Sequence, residues 1–567
     1  MPATSGKACA AGLSAPLAGA SSRSPSALSG RPLWLIGAAS AWMATLGNAA
    51  LWRGLQQLSA LDGVRGLGFA AGLALAIAAL LMLLLGLLAW RATLKPALVV
   101  MLLATAAGAH FMLAYGVVID PTMMVNVLQT DAREAGDLLT LRFVATMLAL
   151  GVLPALAVWR WPVRYARWPR QLAHNAALSL VALVVLVAST LAIFQPLAST
   201  TRNHKHLRYL INPLNSLYAL GRAAAAPLRS GPSKLQPIGE DARLGASHAA
   251  QKQAPLVVLV LGETARSANF ALNGYGRDTT PELAAAGVAS FGNAWSCGTS
   301  TAAALPCMFA HLPKQEFEDL EGHYEGLLDV LQRSGLAVLW LDNQAGCKGV
   351  CDRVATARTA DAPDPALCQD GECFDTILLQ DLDQRIAALP TERRARGVVV
   401  VMHQMGSHGP AYYKRSPSAF KKFLPECASS SLQDCSTEQV VNAYDNTILY
   451  TDHFLGSTIR WLKARQDRAD TALVYVSDHG ESLGENNLYL HGLPYAMAPD
   501  VQKRVPWITW LSPGYSARRG VTGACLQGLR DAPLSHDNYF HSVLGLLDVD
   551  TRVYRPGLDV YARCLKG

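Results

Sequence analysis

A chain of 567 residues exceeds one ordinary domain, so at least two are expected. Its net charge of +7 raises a nucleic-acid reading, but the basic residues form no single stripe. No base-stacking platform or basic motif accompanies them, which sets that class aside.

From about residue 33 to about residue 195 the chain is dominated by Leu, Ala, Val, Met and Trp. A Ser- and Ala-rich tail, residues 1–32, comes first. Five apolar stretches then centre on 33–52, 67–90, 97–118, 141–160 and 175–195. Each approaches the roughly 20 residues that cross a bilayer, which predicts a five-helix transmembrane domain over 33–196. A cleaved signal peptide is disfavoured, because the tail precedes the first stretch and four more follow. Lys7, Arg23 and Arg31 mark the tail, Arg91 and Lys95 the loop after the second stretch, and Arg160, Arg164, Arg167 and Arg170 the loop after the fourth. The loop after the third is acidic, with Asp120, Asp131, Glu134 and Asp137. This bias puts the tail in the cytoplasm and everything after residue 196 on the far side. Residues 197–250 follow as surface helices around HLRYLINPLNSLYALGR and an exposed linker.

The cysteines agree with that topology. Ten of the eleven lie between Cys297 and Cys564, and the exception, Cys9, is in the tail. An even set in one domain points to disulfides formed in an oxidising space. Their spacings do not repeat as the paired C-x-x-C units of a metal finger. Close neighbours suggest Cys297–Cys307, Cys347–Cys351, Cys368–Cys373 and Cys427–Cys435, leaving Cys525 with Cys564.

Residues 251–567 read as the catalytic domain. PLVVLVLGE, LAVLWLDN, GVVVVMHQMG, TALVYVSDHG and VPWITWLS are short apolar runs that fit buried, largely parallel strands. Helical stretches such as EGLLDVLQRSG and EQVVNAYDNTILYTDHFLGSTIRWLKARQ alternate with them, which predicts a three-layer α/β/α sandwich. Ligands gather at the carboxyl ends of such strands. Three strands end there in chemistry: Glu263, then His403 and His408, then Asp478 with His479. A strand-end Glu is commonly a solvated turn residue, and His491 alone reads as a loop histidine. The recurrence at one sheet edge is what points to a metal. Two carboxylates and an imidazole suit Zn²⁺ or Mn²⁺, with a fourth position for a nucleophile. SCGTSTAAALPCMF supplies hydroxyls where a helix opens, and there the helix dipole favours an alkoxide and a phosphate. The bland alternative is that Thr299, Ser300 and Thr301 only cap that helix.

The stretches GETAR, NGYGRDTTP, CGTSTAAALPCMF, HQMGSHGPAYYKR, SDHGESLGENNLYLHGLPY and SHDNYFHSVLGLLDV agree in order and spacing with a known family. The chain resembles the phosphoethanolamine transferases of Gram-negative inner membranes, including the mobile colistin-resistance enzymes, within the alkaline-phosphatase/sulfatase-like superfamily. The likeness runs over nearly the whole chain from the first span onward. It implies Thr301 as nucleophile and Glu263, Thr301, Asp478 and His479 as a zinc site. His408 and His491 would bind the phosphate group or a second zinc, with His403, Lys348 and Glu481 nearby. MMVNVLQTDAREAGDLL resembles the family loop that contributes to donor binding, which points to Asn126 and Glu134. The resemblance further implies an inner-membrane monomer with a periplasmic catalytic domain. It would take phosphoethanolamine from phosphatidylethanolamine, through a phosphoethanolamine-threonine intermediate, to a phosphate of lipid A.

Three other readings compete. A core sugar or a protein as acceptor would use the same catalytic residues. A sulfatase or phosphodiesterase would not need five spans. A transporter or sensor would need polar groups within the spans, which offer His110 and little else.

Overall fold

The computed structural model describes residues 30–130, 132–230, 234–249, 252–320, 322–369 and 371–565, without the side chains of 131–134 and 226–230. The tail expected over 1–32 thus lies almost entirely outside the described residues, as does the side chain of Glu134.

The membrane region is helical throughout. Its principal helices are α1 (Pro32–Ala44), α2 (Ala49–Gln57), α3 (Gly63–Leu87), α4 (Leu94–Ala114), α5 (Pro121–Gln129) and α6 (Ala132–Asp137). They continue with α7 (Leu141–Arg160), α8 (Trp168–Ala192), α9 (Phe194–Asn203) and α10 (Leu214–Ser230). Among the described residues, four helices, α3, α4, α7 and α8, are long and apolar enough to cross a membrane. Their outer faces carry exposed Leu67, Leu75, Val100, Leu153, Leu180 and Val184, as a lipid-facing surface requires.

The stretch 33–52 is instead a broken helix. Thirteen residues of α1 span only about 20 Å, short of the roughly 30 Å hydrocarbon core. At the break Asn212, far along the chain, donates from Nδ2 to Gly47 O at 3.0 Å and to Thr105 O at 2.7 Å. Asn48 Oδ1 accepts from Asn212 N–H at 2.8 Å, and Trp52 Nε1 donates to Thr45 O at 3.0 Å. Protein groups thus meet the polar backbone groups gathered at the break. Helix α5 starts where Asp120 Oδ1 accepts the Met123 N–H, with Pro121 at the first helical position.

The rest of the chain is built on one eight-stranded sheet. Its strands are β1 (Ala254–Gly262), β2 (Ala289–Trp295), β3 (Ala337–Asp342), β4 (Ala355–Arg358), β5 (Val398–His403), β6 (Ala469–Ser477), β7 (Arg504–Leu511) and β8 (Leu534–Ser535), in the order β8-β2-β7-β6-β1-β5-β3-β4. Only β7, the run VPWITWLS, is antiparallel to its neighbours. Alternate residues of β1 feed two cores. Val257, Leu259 and Leu261 pack on one face, and Leu256, Val258 and Val260 on the other. Helices α12 (Leu327–Arg333) and α14 (Tyr539–Leu546) cover the first face, and α13 (Thr437–Lys463) covers the second. The result is the α/β/α sandwich. Ala114, Tyr115, Val117 and Met123 extend the second core into the membrane region, so the two parts share apolar packing.

Strand β2 was not among the expected strands. Its sequence ASFGNAW is half-buried, with Gly and Asn interrupting the apolar pattern. The five disulfides join Cys297–Cys307, Cys347–Cys351, Cys368–Cys373, Cys427–Cys435 and Cys525–Cys564, as the neighbour spacings suggested.

Candidate metal centre and transfer site

Parallel register sets the site. Leu261 lies opposite His403 on one side of β1, and Gly262 opposite Ser477 on the other. The next residues, Glu263 and Asp478, therefore emerge at one level from adjacent strands. Both are fully buried, as is His479. One ligand atom from each lies within 4.8 Å of the other two.

Thr301 is brought in from a distant loop. It opens α11 (Thr301–Met308), and its Oγ1 lies 3.1 Å and 3.3 Å from the two Glu263 oxygens and 3.4 Å from His479 Nε2. Ser300 occupies the N-cap position without a side-chain capping bond, and Thr299 donates to Leu493 O at 2.6 Å. The hydroxyls are thus not spent on capping. Gly298 permits the tight approach, since a Cβ there would meet Ala304 N at 2.6 Å. The Cys297–Cys307 disulfide ties the two ends of this element.

The cluster fits a divalent metal ion. Asp478 Oδ2 accepts no well-formed hydrogen bond in a fully buried setting, while its Oδ1 accepts from Thr264 N–H and His479 N–H. Burial opposes ionisation of Asp478, but His479 beside it and the Thr264 N–H hold its carboxyl below the usual range. Burial pushes His479 down to about 4, toward the neutral imidazole that a metal takes. His479 Nδ1 sits 2.9 Å from Gly480 O, which fixes the ring and leaves Nε2 facing the cluster. Among the described residues one other group, Cys347, Cys351 and Asp352, comes close enough to hold a metal. Its two cysteines are joined as a disulfide and offer no thiolate.

Beside this cluster stand His491, with its ring centroid 4.3 Å from that of His479, and His408, 5.7 Å from His491. Glu481 lies 3.4 Å from His491 Nδ1, and burial pushes its carboxyl up to about 8. A cavity of about 340 Å³ opens here, lined by Phe111, Tyr115, Asn126, Leu138, His408 and His491 among others. Asn126 thus joins the two histidines from the membrane side. Lys348 and His403 stand apart from the group. Lys348 Nζ reaches Gln129 O at 3.4 Å, at the end of α5. His403 is buried at the end of β5, 3.5 Å from Asp342 and edge-on to Trp340.

Several organising residues were not picked out from the sequence. Buried Asp375 accepts from Asn343 Nδ2, Met405 N–H and Gly406 N–H, and so shapes the loop between His403 and His408. Nothing in its local sequence signals this. His536 accepts the Cys297 N–H at Nδ1 and pairs through Nε2 with Ser477 O at 3.0 Å. It therefore links the Thr301 loop to the strand that ends in Asp478. Burial holds it down to about 4, in the neutral form that such pairing needs. It lies within SHDNYFH, a stretch legible as a family motif but not as a bridge.

A hydroxyl at a helix start, facing two carboxylates and an imidazole at the carboxyl edge of an α/β/α sheet, is the arrangement of a sulfatase-like enzyme. Residues 255–549 match the sulfatase family, and residues 77–228 match the family described as phosphoethanolamine transferase EptA/EptB. Phosphoethanolamine transferase EptA of Escherichia coli K12 is 41% identical over 481 residues, covering 83% of this chain and 85% of that protein. Phosphatidylethanolamine transferase Mcr-1 of Escherichia coli is 38% identical over 494 residues, covering 85% and 89%. The solved structure of the integral membrane protein lipooligosaccharide phosphoethanolamine transferase A from Neisseria meningitidis matches with a TM-score of 0.89 at 35% identity, over 94% of this chain and 99% of that one. The chain belongs to the phosphoethanolamine transferase family.

Proposed function

We propose that this protein transfers phosphoethanolamine from phosphatidylethanolamine to a phosphate of lipid A, working as an inner-membrane monomer. In this reading the tail is cytoplasmic and residues 33–196 form a five-span anchor, with α1, the break and α2 together as the first crossing. Residues 197–250 lie at the membrane surface, and 251–567 act in the periplasm. The observation that carries the reading is Thr301 Oγ1 set 3.1 Å from Glu263 and 3.4 Å from His479, beside a cavity whose wall comes partly from the membrane region.

Glu263, Thr301, Asp478 and His479 would hold zinc, which supplies positive charge that acidifies the hydroxyl and offsets charge on the transferring phosphoryl oxygens. Thr301 Oγ1 attacks the donor phosphorus, and Glu263, which accepts the hydroxyl hydrogen bond, is placed to draw off the proton. The bond from phosphorus to the glycerol oxygen breaks. That oxygen takes a proton from His408 or His491, diacylglycerol leaves, and phosphoethanolamine remains on Thr301. An oxygen of a lipid A phosphate then attacks phosphorus, and Thr301 Oγ1 leaves with its proton restored. Asn126 lines the donor side of the cavity with His408 and His491, and Glu481 pairs with His491 there. By the family resemblance Glu134 would also serve donor binding, and Lys348 and His403 would act near the phosphate without lining the cavity. The added ethanolamine cation lowers the negative charge of lipid A, so polymyxins and other cationic peptides bind less strongly.

The test is mass spectrometry of lipid A from a host with and without the protein, and with Thr301→Ala. A mass gain of one phosphoethanolamine is expected for the wild type and not for the variant. A normal gain with Thr301→Ala would overturn the nucleophile. No gain with the wild type would move the acceptor to a core sugar.

A further inference from the structure

We propose that Asp137, Lys414 and Arg415 form an interdomain clamp that holds the donor side of the cavity against the segment carrying His408, with Arg415 as a positioning residue for that histidine. This rests on the transfer reading above, in which His408 faces the reacting phosphate.

Asp137 ends α6 in the acidic loop of the membrane region, and its side chain is only 5% exposed. Its two oxygens are taken separately. Oδ1 pairs with Lys414 Nζ at 2.5 Å, and Oδ2 with Arg415 Nη2 at 2.8 Å. The Arg415 side chain is 2% exposed, and its other donors are also engaged. Nη1 pairs with Glu372, inside the loop closed by Cys368–Cys373, and Nε donates to the carbonyl of His408 at 2.9 Å. One planar guanidinium therefore joins the membrane region, a disulfide-bound loop and the backbone of a site histidine.

The burial makes this arrangement consequential. An exposed pair contributes little, and Arg142–Asp434, which also bridges the two parts, is more than half exposed on both sides. Removing one partner of a buried set leaves an uncompensated charge, which is strongly unfavourable. Hydrogen bonds to backbone carbonyls also cross this junction, such as Gln433 Nε2 to Ala114 O at 2.7 Å, Tyr489 N–H to Tyr115 O at 2.9 Å and the longer Lys348 Nζ to Gln129 O at 3.4 Å. Helices α5 and α6 carry Asn126 on one wall of the cavity, and His408 stands on the other. The clamp thus fixes the width of the gap a lipid donor must enter. A lysine at position 415 would keep the charge but could not reach three acceptors in one plane.

The experiment uses the full chain in lipid nanodiscs and follows two donors. One is phosphatidylethanolamine, read as diacylglycerol release, and the other is a water-soluble nitrophenyl phosphoethanolamine ester without acyl chains. Asp137→Asn should lower kcat/KM for the lipid donor by about 10- to 100-fold, as a small misplacement of reacting groups does, and leave the soluble ester within about twofold. Arg415→Lys should slow both donors, because it also frees the His408 carbonyl, while Asp137→Glu should restore part of the lipid rate. Equal loss on both donors for Asp137→Asn, or none on either, overturns the clamp. No diacylglycerol release by the wild type would instead overturn the transfer reading and, with it, the clamp's part in transfer.

Discussion

Replacing Glu263 by Gln should invert the order of stability between metal-free and metal-loaded protein. Glu263 and Asp478 are both fully buried, and their ligand atoms lie within 4.8 Å of each other. At that separation two unit charges repel by at least about 3.5 kcal/mol at an effective dielectric of about 20. Glu263→Gln would remove the repulsion but weaken the hydrogen bonds that Thr264 and Thr301 now donate to the carboxylate, at a cost of about 1 kcal/mol. The metal-free variant should gain about 2–3 kcal/mol. For a cooperative unit of roughly 300 residues that raises Tm by about 4 °C. Excess zinc at a thousand times its Kd adds about 4 kcal/mol to a protein that binds it, or about 6 °C, and much less to the variant. Thermal unfolding of the full-length protein at pH 8, in chelator and then with zinc restored, reads both effects. The variant should melt above the wild type in chelator and below it with zinc. If the variant melts lower in chelator and gains the same increment from zinc, the cluster is not the metal site.

Three further outcomes follow from other parts of the structure. His536→Ala should leave the Cys297 N–H and the Ser477 carbonyl buried without their partner, lowering stability by about 2–4 kcal/mol and kcat more than KM, as checked by calorimetry and steady-state kinetics. Asn212→Ala should destabilise the membrane region by about 1–2 kcal/mol by removing its hydrogen bonds to the Gly47 and Thr105 carbonyls, which detergent-melting curves would register. His541 is buried, with Nδ1 accepting the Arg555 N–H, and burial followed by the Arg555 charge holds its pKa down to about 4. Its folded value lies below its unfolded one, so its contribution is whole above pH 6.5 and is lost as pH falls toward 4. That loss is at most about 3 kcal/mol, and His541→Asn should flatten the stability profile in that window.

Much of the catalytic half was legible in the sequence because its information is local. Strands buried on both faces read as unbroken apolar runs, and the residue that follows each strand names the chemistry at the sheet edge, as Glu263 and Asp478 do. Four of the five cysteine pairs are separated by ten residues or fewer, so proximity along the chain stood in for proximity in space. The long Leu-rich helices were legible for the same reason, since a bilayer selects on length and apolarity alone.

What only the tertiary structure decided depends on partners far along the chain. The stretch 33–52 is apolar enough to read as one span, yet it breaks where Asn212, 165 residues away, donates to the carbonyl of Gly47. Thr301 is one of three hydroxyls in a row, and it is singled out by facing Glu263 while Thr299 turns to Leu493 and Ser300 makes no capping bond. Asp137 looked like one more acidic residue of a loop, whereas the fold buries it against Lys414 and Arg415. Local pattern determined which residues carry the chemistry. Long-range packing decided which of them meet, because a buried charge or a freed backbone group must find its partner wherever the fold supplies one.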